Sequence, residues 1–297
     1  MTIYTHTESN IRKTWILVSL FLVLVIGLGW VASDVFQNRA ILIYAVIFSI
    51  VMNVASFWYS DRIVLAIAGA KPVEKNSNPE LYRIVENLSI TAGLPVPKIY
   101  LMYEKQPNAF ATGRDKNHAV IAVTQGLIEK LNKTELEGVI AHELSHIGNK
   151  DTLLMTVVVV LVGFVSILSD TLLRSMWLGG ARKRDDHGNS QAGAVLALVG
   201  LLFILLSPLV AFFIQMAISR KREFLADASA VLLTRYPEGL ASALAKIAID
   251  PTPLEKNSKA TAHLYIANPF RGKSFSTIFL THPPIEQRIK ALREMQI

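Results

Sequence analysis

Long uncharged runs alternate with segments of mixed polarity along this chain. Residues 15–33 and 40–60 contain no charged side chain. Each run is long enough to cross the hydrocarbon core of a bilayer as a helix, which takes about 20 residues. The first run is longer than the apolar region of a cleaved signal peptide, which is the alternative interpretation. Because only a short turn with Asp34 and Arg39 separates the runs, we predict a transmembrane hairpin within residues 1–60.

A second pair of apolar runs lies within residues 152–218. The first covers about residues 152–172, and the second covers residues 192–217, where Pro208 predicts a kink. The loop at residues 174–190 carries four Lys/Arg residues, which the positive-inside rule disfavours on the outer side of a membrane. The two runs therefore form either a spanning hairpin or a re-entrant or surface-lying one, and each alternative returns the chain to the same side.

The segments of mixed polarity predict a globular domain in two parts, residues 61–151 and 219–297. Apolar positions at helical spacing predict a helix over residues 79–94. Residues 98–103 and 118–124 are short runs rich in aliphatic residues, bounded by Gly, Asn and Pro, which is typical of strands. We expect these two strands to form a small antiparallel sheet.

The sequence H-E-L-S-H forms the last part of the first globular segment. On a helix, His142 and His146 are four residues apart and share one face. Two imidazoles on one face can bind a metal ion, and Glu143 can act as general base on a water that the metal activates. Thr134 followed by Glu137 has the spacing of a capping box, so we expect it to set the start of this helix.

A catalytic zinc site usually has three protein ligands, so two histidines leave one ligand to be found. The chain has no cysteine, and the third ligand must therefore be a histidine or a carboxylate. Glu223 and Asp227 lie four apart in the first polar segment after the last apolar run. Glu223 can complete the site, and Asp227 can accept an N–H from a ligating imidazole and fix its tautomer. The alternative for Glu223 is an acidic residue that stabilises a helix N-terminus.

Composition and charge strengthen the membrane prediction. The chain has 297 residues, of which 52% are hydrophobic and 18% charged, and its formal net charge is +7. Its mean hydropathy is +0.38. A basic stripe interleaved with aromatic residues is absent from the sequence, which argues against nucleic-acid binding. Basic residues flank both ends of the first hairpin and predict that these ends lie in the cytoplasm, namely Arg12, Lys13, Arg62, Lys71 and Lys75.

The chain resembles the HtpX-type membrane zinc metalloproteases, relatives of the CAAX prenyl proteases. The resemblance covers essentially the whole chain. It rests on four motifs, which are H-E-L-S-H (142–146) followed by Asp151, R-E-F-L-A-D (222–227), N-A-F-A-T-G (108–113) and T-H-P-P-I-E-Q-R-I (281–289). It implies one zinc ion per chain, bound by His142, His146 and Glu223, with Glu143 as the catalytic base.

The resemblance also implies roles for residues outside the ligand set. It implies that an extended substrate pairs with an edge strand formed by Asn108, Ala109 and Phe110. It places His282 near the site as a catalytic residue that acts on the substrate carbonyl. Arg288 would pair with an acidic group such as Asp227.

These predictions combine into a mainly α-helical integral membrane protein with a small antiparallel β-sheet in a cytoplasmic zincin-like catalytic domain. We expect a multi-pass protein of the bacterial inner membrane. It would cleave membrane proteins or peptides at the cytoplasmic face, in stress-related quality control. One alternative is the processing of lipidated or C-terminal tails. An alternative of another class is a zinc-binding membrane scaffold or transporter without catalytic activity.

Overall fold

The computed structural model describes residues 3–180, 220–255, 260–267 and 283–295. The predicted apolar run 192–217 and His282 lie outside the described residues. The helices are α1 (Ile3–Val35), α2 (Ala40–Ala68), α3 (Pro79–Ala92), α4 (Gln125–Lys130), α5 (Lys133–Gly148), α6 (Asp151–Gly180), α7 (Arg220–Thr234), α8 (Pro237–Ile249) and α9 (Ile285–Arg293). The strands are β1 (Lys71–Pro72), β2 (Lys98–Met102), β3 (Ala109–Thr112) and β4 (Val120–Thr124).

Helices α1 and α2 form the predicted N-terminal hairpin. Among the described residues, both helices are long and apolar enough to cross a membrane. Helix α1 continues past the predicted span towards the N-terminus and begins at Ile3, so the polar residues before Trp15 are helical too. Helix α2 runs to Ala68 and ends at Gly69, whose φ of 63° closes the helix in the left-handed conformation.

Helix α6 continues from α5 after a sharp turn and packs against the hairpin. The axis bends by 84° between α5 and α6, and the two helices count as a third candidate span only if they are taken together. The turn passes through Lys150, which has a φ of 55°. Phe164 of α6 makes ring contacts with Phe21 of α1 and Phe48 of α2. Helix α6 thus joins the helical bundle, while α5 packs against the sheet.

The small sheet is confirmed, but it is mixed rather than antiparallel throughout. Its strand order is β1-β2-β4-β3. The two strands predicted from sequence, β2 and β4, pair in parallel, with Ile99 opposite Ile121. The expected antiparallel pairing of these two strands is wrong because the N-A-F-A-T-G segment between them forms β3. This strand pairs with β4 in antiparallel orientation and forms the edge of the sheet.

Helix α5 begins two residues earlier than the predicted capping box allows. Its N-cap is Asn132, whose side-chain oxygen accepts the backbone N–H of Glu135 at 2.9 Å. The Glu135 carboxylate in turn accepts the backbone N–H of Asn132 at 2.8 Å. The box predicted at Thr134 and Glu137 is therefore wrong, since Thr134 is already inside the helix and its hydroxyl donates to Asn132 Oδ1.

Candidate metal centre

The three predicted ligands converge at one buried point. His142 and His146 project from α5, and Glu223 projects from the first turn of α7. One donor atom from each of the three lies within 4.8 Å of the other two. Among the described residues, no other group of three His or carboxylate side chains is clustered in this way.

The separations between donor atoms fit a small cation with tetrahedral coordination. The Nε2 atoms of His142 and His146 are 3.1 Å apart. The carboxylate of Glu223 lies 3.8 Å from His142 Nε2 and 3.5 Å from His146 Nε2. Zinc held tetrahedrally, about 2.0–2.1 Å from nitrogen or oxygen, requires donors about 3.3–3.4 Å apart. Two imidazoles and one carboxylate are also the donor set of many catalytic zinc sites, so the residues present fit zinc.

Each histidine is oriented by a carboxylate on its other ring nitrogen. His142 Nδ1 lies 2.9 Å from Asp227 Oδ1, as the i,i+4 relation of Asp227 to Glu223 predicts. His146 Nδ1 lies 2.9 Å from Asp151 Oδ2. Both contacts place the donor hydrogen on Nδ1 and turn Nε2 towards Glu223, as in metal-binding histidines. The function of Asp151 was not predicted from the sequence, although its position five residues after His146 was part of the family resemblance.

Arg288 lies over the His142 side of the site and is completely buried. Its Nε and Nη2 atoms donate to the two oxygens of Asp227 at 2.9 and 2.7 Å. Its Nη1 atom lies 3.3 Å from Glu223 Oε2. The guanidinium therefore forms the pair with Asp227 that the resemblance implies, and it also approaches the carboxylate of the third ligand.

The electrostatics of the pocket favour a positive charge between the ligands. Burial and the charge of Arg288 lower the pKa of His142 to about 4. Burial alone would also lower the pKa of His146, but the hydrogen bond to Asp151 and the charge of Glu223 raise it to about 9. A site whose carboxylates hold a proton on one imidazole so strongly also attracts a cation in its place.

Asp227 stays ionised despite its burial. Burial would raise the pKa of this carboxyl, but the charge of Arg288 and the hydrogen bonds from His142 and Arg288 lower it to about 2. An ionised carboxylate accepts hydrogen bonds from both neighbours at once. Asp227 therefore keeps the Nδ1 hydrogen of His142 in place over the whole neutral pH range.

Glu143 lies between the ligand cluster and the edge strand. Burial raises the pKa of its carboxyl to about 7, and the nearby charge of Glu223 acts in the same direction. The backbone of Ala111 in β3 lies close enough to favour the ionised form of this carboxyl. A pKa near neutrality suits a residue that takes up and releases a proton. The link between Glu143 and Ala111 was not foreseen from the sequence, because it depends on how β3 is placed over α5.

The residues of the predicted substrate strand, β3, are buried. Ala109 and Ala111 direct their outer backbone groups away from β4, and the carbonyl of Ala109 accepts the N–H of Ile266 at 3.1 Å. The side chain of Asn108 binds the backbone of Ala267, with its Nδ2 donating to the carbonyl at 3.0 Å. The ring of Phe110 points into the core. The first part of the strand thus contacts the chain's own segment 260–267.

Comparison with known proteins gives a consistent picture. The model of "Peptidase family M48" matches residues 75–296. A protease HtpX homolog of Caldanaerobacter subterraneus subsp. tengcongensis is 45% identical over 300 residues, which is 100% of this chain and 99% of the relative. A protease HtpX homolog of Thermoanaerobacter pseudethanolicus is 43% identical over 295 residues, covering 99% of this chain and 98% of the relative.

Among solved structures, the crystal structure of S. mikatae Ste24p aligns with 95% of this chain and 67% of its own length. The TM-score is 0.51 and the sequence identity is 21%. At this identity the match shows a shared fold.

Proposed function

The chain belongs to peptidase family M48, and from this premise we propose that it is a zinc-dependent endopeptidase that cleaves membrane proteins at the cytoplasmic face. The identity with HtpX homologues over the whole chain confirms the family resemblance drawn from the motifs and makes the protein a membrane metalloprotease. The choice of zinc, the side of the membrane and the substrates belong to the proposal.

The convergence of His142, His146 and Glu223 beside Glu143 carries this proposal. A structural zinc site is usually closed by four protein ligands, whereas a catalytic site leaves one position open. Among the described residues three ligands come together, and the acidic side chain next to them has a pKa raised to about 7. This arrangement favours a hydrolase over a scaffold.

The proposed chemistry is hydrolysis of a peptide bond without a covalent intermediate. When bound, the metal supplies Lewis acidity that polarises a carbonyl and makes a water molecule more acidic. Glu143 accepts a proton from the attacking water and delivers it to the leaving amine. His282 is proposed to stabilise the oxyanion that forms on the substrate carbonyl.

The buried carboxylates keep the two imidazoles fixed during this cycle. Asp227 and Asp151 each hold one Nδ1 hydrogen, so neither ring can rotate or change its tautomer without losing a hydrogen bond. Arg288 compensates the charges of Asp227 and Glu223 in a region without solvent. These residues therefore act by holding the ligands and their protons in place.

We propose that an extended substrate adds to β3 as a further strand, the mode called β-augmentation. The backbone of Ala111 supports this placement because it lies next to Glu143. Pairing at Ala109 would require the Ile266 N–H to leave the Ala109 carbonyl. Pairing around Ala111 leaves this bond intact, but Ala111 is buried, so the groups that cover it have to move before a strand can add.

The proposed cytoplasmic orientation and membrane substrates follow from position and charge. Helix α2 leads within a few residues into β1, and β1 pairs with β2 at the side of the catalytic domain. The basic residues at both ends of the hairpin favour the cytoplasmic side of a bacterial inner membrane. A catalytic domain held there has access to loops and unfolded segments of membrane proteins, which fits a role in stress-related quality control.

Metal content measured together with proteolysis tests this proposal. We expect the purified full-length chain to hold one zinc ion and to cleave a casein-like substrate, with both lost on chelation and restored by added zinc. Glu223→Gln should lose the zinc, while Glu238→Gln, a substitution at a surface ion pair with Arg293, should keep it. A chain that holds zinc tightly but cleaves nothing would establish the scaffold alternative.

A further inference from the structure

One polar residue of the first membrane helix reaches the metal centre. Asn10 lies near the start of α1 and is 3% exposed. We propose that Asn10 is a positioning residue of the metal site, which joins the carboxylate that orients His146 to the arginine that precedes Glu223. The proposal rests on the proposed function, because it assigns Asn10 to the same metal centre.

The Asn10 amide makes hydrogen bonds with both of its ends. Its Nδ2 donates to Asp151 Oδ1 at 2.6 Å and lies 3.3 Å from the backbone carbonyl of Asn149. Its Oδ1 accepts from Arg222 Nη1 at 3.1 Å. The other oxygen of Asp151 is the one that holds His146 Nδ1. A continuous chain of hydrogen bonds therefore runs from the arginine through Asn10 and Asp151 to a ligand.

The chemistry of this position favours an amide. Asp151 needs a donor and Arg222 needs an acceptor, and asparagine is a short side chain that supplies both. A carboxylate at position 10 would lie against the Asp151 carboxylate, and an aliphatic side chain would leave both partners short of a hydrogen bond. Both partners are buried, with exposures of 1% for Asp151 and 5% for Arg222, so such a loss is costly.

Asn10 also connects three elements that are far apart in the sequence. Asp151 is the first residue of α6, directly after the 84° bend that follows the motif helix. Arg222 lies on α7 next to Glu223. Arg222 Nε is 3.8 Å from Asp151 Oδ1, which is too far for a hydrogen bond. The Asn10 amide bridges the two groups by bonding to both. The first membrane helix thereby fixes the distance between the two parts of the metal site.

A competing explanation is that Asn10 merely attaches α1 to the rest of the protein. Thr14 provides a matched control for this, because it lies one turn further along the same helix face and is 4% exposed. Its hydroxyl donates to the backbone carbonyl of Asn10 at 2.9 Å, so Thr14→Val removes a buried hydrogen bond of α1. The Thr14 hydroxyl is not part of the chain of hydrogen bonds that leads to His146.

The test is the zinc affinity of the full-length chain in detergent, measured by competition with a chromophoric chelator. Outer hydrogen-bond partners of metal ligands typically contribute 10–100-fold to affinity. We expect Asn10→Ala to weaken zinc binding by about tenfold. Asn10→Asp should weaken it more, whereas Thr14→Val should stay within about twofold of the wild type.

A double-mutant cycle separates the hydrogen-bond chain from a general effect on folding. The double variant Asn10→Asp, Asp151→Asn exchanges the two side chains. The amide at position 151 can then donate to the carboxylate at position 10, so the hydrogen bond is restored with its direction reversed. Asn10→Asp should therefore weaken zinc binding much less in the Asp151→Asn background than in the wild type. Equal losses in both backgrounds, or equal losses for Asn10→Ala and Thr14→Val, would overturn the proposal.

Wild-type zinc binding distinguishes the two failures. If the wild type binds zinc through Glu223 and Asn10→Ala binds it equally well, only the positioning function of Asn10 is wrong. If Glu223→Gln leaves zinc binding unchanged, the metal site itself is wrong, and the inference about Asn10 is overturned with it.

Discussion

At the scale of single residues, the site depends on carboxylates that do not themselves bind the metal. Asp227 accepts hydrogen bonds from His142 and, through both of its oxygens, from Arg288. Its low pKa keeps it charged, so it fixes the imidazole tautomer and balances the buried guanidinium together. One side chain thus determines the geometry of a ligand and the charge of its surroundings.

Substitution of Asp227 should weaken metal binding without disrupting the hydrophobic core. Asp227→Asn keeps the side-chain volume, but its amide presents an N–H group to His142 or Arg288, which are themselves donors. We expect zinc affinity to fall by about 10–100-fold, measured by chelator competition. The matched control is Asp115→Asn, at an exposed Asp–His pair with His118, which should leave zinc affinity unchanged. Equal affinities for wild type and Asp227→Asn would show that this carboxylate does not orient His142.

The residues that the sequence could identify are those linked by helical spacing. His142 and His146 share a helix face, and so do Glu223 and Asp227, so their grouping required only the period of a helix. Asp151 and Asn10 could not be found in this way. Their contacts depend on the bend after α5 and on the packing of α1 against the rest of the protein, and the spacing of residues in the sequence predicts neither.

At the scale of elements, the motif helix is held by a close backbone contact with α8. A Cβ atom added to Gly138 of α5 would lie 2.7 Å from the backbone nitrogen of Leu240. A Cβ atom added to Gly239 would lie 2.7 Å from the carbonyl oxygen of Thr134. Side chains larger than hydrogen are therefore excluded on both sides, and this contact sets the spacing between α5 and α8.

An alanine in this contact should destabilise the protein although alanine favours helices. Gly→Ala in a helix interior normally stabilises by about 1 kcal/mol. Gly138→Ala should instead cost about 1–3 kcal/mol, because the backbone of α8 has to move. Thermal unfolding in detergent measures this as a lower Tm. Gly148→Ala on the same helix is the control, because its added Cβ atom would lie 3.8 Å from Leu94 Cδ1, an ordinary contact. This variant should not lower the Tm. A Tm for Gly138→Ala at or above that of the wild type would refute the close contact.

The two errors of element prediction have a common cause. N-x-x-E at residues 132–135 and T-x-x-E at residues 134–137 both fit a capping box, and local sequence does not choose between them. Similarly, two predicted strands do not reveal that a third lies beside one of them. The chain reaches the edge strand β3 first, and the loop at Gly113, whose φ is 132°, then turns it back into β4, which lies parallel to β2.

At the scale of the whole molecule, the metal site lies where the helical bundle meets the sheet. Helices α1, α2 and the first part of α6 pack together, and α5 turns away from them by 84°. Large aromatic side chains of the hairpin stay exposed on the protein, as expected for surfaces that contact lipid, for example Trp15, Trp30 and Tyr44. The hydrophobic runs made this membrane character predictable, whereas the packing of α6 against the hairpin was not.

The proposed orientation can be tested directly because the chain has no cysteine. Single cysteines at exposed positions report their side of the membrane through a thiol reagent that cannot cross it. In intact cells we expect Gln37→Cys, in the α1–α2 turn, to react. Lys116→Cys, near β4, should react only after the membrane is opened. The reverse pattern would place the catalytic domain outside the cytoplasm.

The same labelling distinguishes the two alternatives for the second hydrophobic hairpin. His187 lies in the loop between the two runs, outside the described residues. Reaction of His187→Cys in intact cells would establish that both runs span the membrane, whereas protection until the membrane is opened would establish a re-entrant or surface-lying hairpin. The expected location of the metal site is the same in both cases.

The central claim is that Glu143 performs the proton transfers at a metal site built by His142, His146 and Glu223. The most direct measurement compares the wild type with Glu143→Gln for zinc content and for cleavage of a casein-like substrate. A neutral amide of the same size should leave one zinc per chain and reduce the cleavage rate by about 10²–10⁴-fold, the usual contribution of a general base. Full zinc content together with undiminished cleavage would contradict the account.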